Sequence, residues 1–143
     1  MPPPYPHPSF QLILLPNSYN VTQFKPEEPI PQSYIDALTG ARSKHLSSGE
    51  GKMRMLSITR TNEEVSIVEE VELGEGEWRC VRVMGPMAFD VVGVINNATA
   101  PIKAAGVGVF VVSTWNTDYI LISREHIETA VEAWKGDGWE FVE

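Results

Sequence analysis

Residues 78–143 decide the fold: WRCVRVM-GPMAF-DVVGVINNATAPIKAA-GVGVFVVS-TWNT-DYILI-SREHIETAVEAWKGDG-WEFVE. Trp78–Met84 alternates and is rich in β-branched residues, as a strand requires, and Gly85-Pro86 ends it. From Asp90 to Ala105, apolar residues fall at Val91, Val94, Ile95, Ala98, Ile102 and Ala105. Those steps of three and four make one helical stripe. Asp90 can cap the helix, and Gly106 suits the left-handed position that ends one. Pro101 removes one internal hydrogen bond, to Asn97, which predicts a bend or a solvent-facing side there. Val107–Ser113 reads as a buried strand and Asp118–Ile122 as the next. A second helix over Arg124–Lys135, capped by Ser123, carries the stripe Ile127, Ala130, Val131 and Trp134. Gly136 and Gly138 close it, and Trp139–Val142 is the last strand.

The order strand, helix, strand, strand, helix, strand predicts an α+β, ferredoxin-like βαββαβ unit, with two crossover helices on one face of an antiparallel sheet. Upstream, Phe10–Leu15 (FQLILL) and Tyr19–Phe24 (YNVTQF) read as two strands paired across a Pro16–Ser18 turn. Pro26, Pro29 and Pro31 interrupt regular structure, and Ser33–Leu38 allows a short helix ended by Gly40. Ala41–Lys52 is polar and reads as a surface loop. Met53–Thr59 and Glu64–Val71 form a hairpin around Arg60–Glu63. Gly74-Glu75-Gly76 marks a seam. The expected organisation is a disordered Pro-rich tail over 1–9, an abbreviated β-rich unit over 10–76 and the complete unit over 77–143. Arg54–Val68 also resembles Gly108–Ile122: apolar strand, Ser, Thr, polar turn with an acid, apolar strand, aligned with one insertion.

The chain has 143 residues, 43% hydrophobic and 21% charged, which is globular composition. Its net charge of −8, with scattered basic residues, argues against nucleic acid or an anionic membrane as partner. The N-terminus lacks the basic-then-apolar pattern of a secretory signal, and no apolar run approaches the ~20 residues of a membrane span. The single cysteine, Cys80, cannot form an internal disulfide. It suits a reducing, cytoplasmic setting and reads as a buried apolar residue.

No residue pattern marks an enzyme. His7, His45 and His126 lack a partner at informative spacing, and no phosphate loop, nucleophile elbow or metal-ligand spacing occurs. No cofactor or metal is expected. Two places are suited to binding. One is the helix entry Phe89-Asp90-Val91-Val92-Gly93, where free N–H groups favour an anion; the alternative is that Asp90 only caps and Gly93 only packs. The other is Ser113-Thr114-Trp115-Asn116-Thr117-Asp118, far more polar than a hairpin needs. Hydroxyls and an acid around an indole fit an amino acid; the alternative is an ordinary polar turn.

These same residues carry a resemblance. Gly85-Pro86-Met87-Ala88-Phe89 before the helix, Ala105-Gly106-Val107 at its exit and Ser113-Thr114-Trp115-Asn116-Thr117-Asp118-Tyr119 at the turn resemble the CASTOR-type ACT domain. Ser57-Ile58-Thr59-Arg60-Thr61-Asn62-Glu63-Glu64-Val65-Ser66-Ile67-Val68 resembles the matching stretch of small ACT proteins. The resemblance implies tandem ACT units, no catalysis, amino-acid binding and a homo-oligomer, with a dimer favoured. It implies a ligand touching Ala88, Phe89, Asp90, Val91, Gly93 and Val94 at the helix entry, and Ser113, Thr114, Trp115 and Asp118 at the turn. Where the family's arginine sensors place a glutamate, this chain has Val91, which cannot pair with a guanidinium. A smaller or more apolar amino acid suits Val91 and Trp115 better than arginine. The other reading is an ACT-fold interaction module that binds no small ligand.

Overall fold

The computed structural model describes residues 11–39, 53–84 and 93–142. The element order is β1 (Gln11–Phe24), α1 (Gln32–Thr39), β2 (Leu56–Arg60), β3 (Val65–Val71), β4 (Trp78–Val83), α2 (Val94–Ala104), β5 (Phe110–Ser113), β6 (Asp118–Ser123), α3 (Ile127–Gly136) and β7 (Glu140–Phe141). The chain divides into two compact units, one of residues 17–77 and one of residues 1–16 with 78–143.

In the C-terminal unit, β4 pairs antiparallel with β6, and β6 with β5. Val81 and Val83 of β4 and Ile120 and Ile122 of β6 are all fully buried. They pack with Val94, Ala98 and Ile102 of α2 and with Ile127, Ala130 and Trp134 of α3. These are the stripes the periodicity predicts. Val131 lies beside this core, only partly buried. The two helices are tied by the Trp134 indole, whose Nε1–H donates to the Ala98 carbonyl at 2.6 Å. The bond satisfies an otherwise buried donor. Cys80 is a buried free thiol, as read.

Both helices leave through a glycine. At the end of α2, Gly106 has φ +75°. Its N–H reaches the Lys103 carbonyl, and the Val107 N–H reaches Ile102. That paired closure is the Schellman motif, which requires the left-handed backbone that glycine adopts freely. Gly138 closes α3 in the same way, with Trp139 bonding back to Trp134. In each case the next residue, Val107 or Trp139, is buried and starts the return to the sheet.

Some expected boundaries shift. The first crossover helix starts at Val94, with Gly93 in the N-cap position, so Asp90 is not its cap. The second starts at Ile127 after His126. Ser123 instead ends β6, and its hydroxyl bonds the His126 Nδ1 at 2.8 Å. α2 continues through Pro101.

The expected hairpin at Pro16–Ser18 is replaced by one 14-residue strand, β1. Its first residues pair parallel with β7, and Ser18–Phe24 pair antiparallel with β3. Pro16, which lacks an N–H, falls between these two ladders, so it interrupts neither. Gln11–Pro16 therefore group with the C-terminal unit, although the sequence places them in the first. Leu12 is fully buried in that unit's core. The Gln11 carbonyl accepts from the Met84 N–H at 2.8 Å, and the Leu12 carbonyl accepts from Val142 at 2.8 Å. The βαββαβ unit thus takes in an additional strand from the start of the chain.

In the N-terminal unit, β3 lies between β2 and the second half of β1, antiparallel to both. The order β1-β3-β2 repeats the order β4-β6-β5. The N-terminal unit is a βαββ version of the C-terminal one, without the second helix and last strand. Val65 and Ile67 are fully buried there, with Tyr19, Val68 and Ala37 close behind.

Candidate ligand site

The β5–β6 turn is closed by its own side chains. The Thr114 N–H donates to the Thr117 carbonyl at 2.9 Å. The Thr114 hydroxyl donates to the same carbonyl at 3.2 Å and accepts from the Asn116 and Thr117 N–H groups, each at 3.3 Å. Ser113 and Asp118 are directly opposite in the ladder, and the Ser113 hydroxyl donates to the Asp118 carboxylate at 2.5 Å. Trp115 stands at the tip, 84% exposed.

The N-terminal unit provides an internal comparison. In the β2–β3 turn, the Thr61 N–H donates to the Glu64 carbonyl at 2.9 Å, and the Thr61 hydroxyl accepts from Glu63 and Glu64. Arg60 faces Val65 as Ser113 faces Asp118. The sequence repeat is therefore a repeat of turn chemistry, with Thr61 in the place of Thr114. Thr114 is accounted for by turn closure. What the second turn adds is Trp115 where the first has Asn62, and the Ser113–Asp118 pair where the first has Arg60 and Val65.

It also adds Thr117, a residue the sequence reading did not single out. Thr117 is 1% exposed, and its hydroxyl donates to the Val83 carbonyl at 2.6 Å. Val83 is the last residue of β4, just before the helix-entry segment begins. Together with the Arg82–Tyr119 register, this bond fixes the turn beside the start of that segment. The two stretches picked out by sequence thus begin side by side. The only signal in the sequence was a second threonine at the position where the first turn has Glu64.

Of the helix-entry residues, Ala88, Phe89, Asp90 and Val91 lie outside the described residues. Gly93 has φ +80° and its carbonyl accepts from the Asn97 N–H at 2.9 Å, opening α2. Val94 is 3% exposed and belongs to the core. Ser113, Thr114, Trp115 and Asp118 are together at the turn. Among the described residues, no group of three or more His, Cys, Asp or Glu side chains is placed to hold a metal. No helix among them is long and apolar enough to cross a membrane.

Residues 74–134 match the family model of the ACT domain. This chain is an ACT-domain protein. Its ACT domain is similar to the human protein named cytosolic arginine sensor for mTORC1 subunit 1, at 34% identity over 56 residues. That match covers 38% of this chain and 17% of the human protein, so the chain corresponds to a small part of the sensor. A crystallised protein from Agrobacterium tumefaciens is 27% identical, with a TM-score of 0.66 over 92% of this chain and 91% of its own. The aspartokinase alpha and beta subunits share the fold, with a TM-score of 0.58 at 12% identity. The CASTOR-type resemblance drawn from the motifs and the ferredoxin-like α+β fold are both upheld by these matches.

Proposed function

We propose that this ACT-domain protein is a non-catalytic regulator that binds a free amino acid at the β5–β6 turn and the helix entry. The observation that supports it best is Trp115. A large indole left 84% exposed on a turn otherwise closed by its own hydrogen bonds is an apolar wall without an occupant. Asp118, held by Ser113, is the acceptor for an ammonium group beside it. The proposed contacts are Ala88, Phe89, Asp90, Val91, Gly93 and Val94 on one side and Ser113, Thr114, Trp115 and Asp118 on the other. Similarity to a named arginine sensor supports the ligand class. Val91 argues for a small or apolar amino acid rather than arginine, because a buried guanidinium needs an acidic partner. The working form is a cytoplasmic homodimer.

The test is a thermal-shift panel of the twenty amino acids on the full chain, followed by Trp115→Ala and Asp118→Ala. One amino acid, present at 100 times its dissociation constant, should stabilise the protein by about 2.7 kcal/mol, and either variant should abolish the shift. No shift with any amino acid at millimolar concentration would end this reading. The second reading, an interaction module, draws on the same exposed indole together with Val109 and Val111, which stand 39% and 37% exposed on and beside the edge strand β5. It predicts that Trp115→Ala and Val111→Lys change self-association in sedimentation while no amino acid binds.

A further inference from the structure

The N-terminal unit contains a recess of about 320 Å³ between α1 and the β2–β3 hairpin. Its volume is at the lower end of small-molecule sites, roughly 300–1,000 Å³. Ser33, Tyr34 and Ala37 of α1 line one side, and Arg54, Leu56 and Glu69 line the other. The local structure explains why charges meet there. β3 buries Val65 and Ile67 completely, and the two-residue period of a strand puts Glu69 on that same face. Glu69 is flanked on both sides, by Leu56 of β2 and Asn20 of β1, so its carboxylate stands on an inner strand, partly buried.

The neighbouring acids are already committed. Glu70 accepts from Asn17 Nδ2 at 2.8 Å and from the Met55 N–H at 2.9 Å. Glu72 pairs with Nη2 of Arg54. The remaining charges are not matched. The Arg54 side chain is only 13% exposed, and its Nε is buried without a hydrogen-bond partner among the described residues. A buried N–H of this kind costs about 1–3 kcal/mol until an acceptor reaches it. Arg54 and Glu69 line the same recess without forming an ion pair. Tyr34 adds a phenol: burial first, and the Glu69 carboxylate second, push it above its ordinary value, so it stays protonated.

We propose that this recess binds a small zwitterion, with its carboxylate on Arg54 and its cationic amine on Glu69 and the Tyr34 hydroxyl. Both charges of such a ligand find a partner, and the buried guanidinium gains the acceptor it lacks. The apolar walls, Ala37 and Leu56, limit it to a short side chain. The site is in the other unit from the β5–β6 turn, and it stands whether or not that turn binds anything.

The experiment is amide NMR on the labelled full chain. Glycine, L-alanine and L-serine are titrated to millimolar levels, with propionate and propylamine as single-charge controls. A zwitterion should move the Tyr34, Leu56 and Glu69 amides. Affinity should fall about tenfold or more in Arg54→Met and in Glu69→Gln, and be unchanged in Trp115→Ala. The proposal is overturned if no zwitterion moves these amides, if propionate alone binds equally well, or if the response is lost only in Trp115→Ala. Should Arg54→Met not fold, Glu69→Gln and the wild-type titration still decide it.

Discussion

Thr117 is the residue with the most to do for its size. Its buried hydroxyl satisfies the Val83 carbonyl, 34 residues earlier in the chain, and nothing local announces that contact. This is why the sequence identifies the turn as unusually polar but cannot rank its residues: Thr114 bonds within four residues, and Thr117 bonds across the sheet. Thr117→Val keeps the shape and leaves a buried acceptor without a donor. It should cost about 1–3 kcal/mol in urea unfolding, and weaken any ligand at the turn, while Thr114→Val should leave Val83 satisfied. Tyr34 gives a residue-scale prediction in pH. Its phenol is raised in the folded state by burial and by Glu69, so the folded protein keeps a proton that the unfolded chain releases near its ordinary value of about 10. Its contribution to stability is therefore complete below about pH 10 and is lost as pH rises through the higher folded value. Unfolding free energy measured across this range should fall less steeply in Tyr34→Phe than in the parent; equal slopes would mean that Tyr34 does not sense Glu69.

At the scale of elements, the glycines of the two helix exits were legible because their reason is local. Gly106 was placed correctly from sequence, since a left-handed residue must follow an apolar stripe that stops. A Cβ there meets no atom within 4 Å, so Gly106→Ala pays only for the backbone conformation. The expected cost is about 1–2 kcal/mol by thermal unfolding. Gly76 is a different case. It reads as a mere seam, yet a Cβ on it would stand 2.5 Å from the Tyr19 carbonyl oxygen and 2.8 Å from the Tyr19 nitrogen. These are backbone atoms of a strand, and they cannot swing aside. Gly76→Ala should therefore destabilise more than Gly106→Ala despite needing no left-handed backbone, and equal midpoints would refute the close approach. β1 failed in the sequence reading for the opposite reason. Pro16-Asn17-Ser18 has turn chemistry, but whether a proline breaks a strand depends on which neighbours need its N–H, and those neighbours, β7 and β3, come from far along the chain.

For the whole molecule, the consequence lies in how the chain is divided. Residues 78–143 contain every element of a βαββαβ unit, and the sequence alone presents them as independent. The structure places Gln11–Pro16 with them, and the link is not marginal. Leu12 is fully buried among Val81, Ile122 and Trp134's cluster, and the backbone of Gln11 and Leu12 accepts from Met84 and Val142. Without this segment those two N–H groups lose their acceptors and the core opens on one side. A fragment of residues 77–143 should therefore lack the sharp unfolding transition and dispersed NMR spectrum of the full chain. The same fragment fused through a flexible linker to residues 9–17 should regain both. In the intact chain, Leu12→Ala should cost about 2–5 kcal/mol and should raise hydrogen exchange at Val81, Ile122 and Trp134. If residues 77–143 fold cooperatively on their own, the first strand is an ornament rather than part of the C-terminal core, and the boundary after Gly76 is the true one.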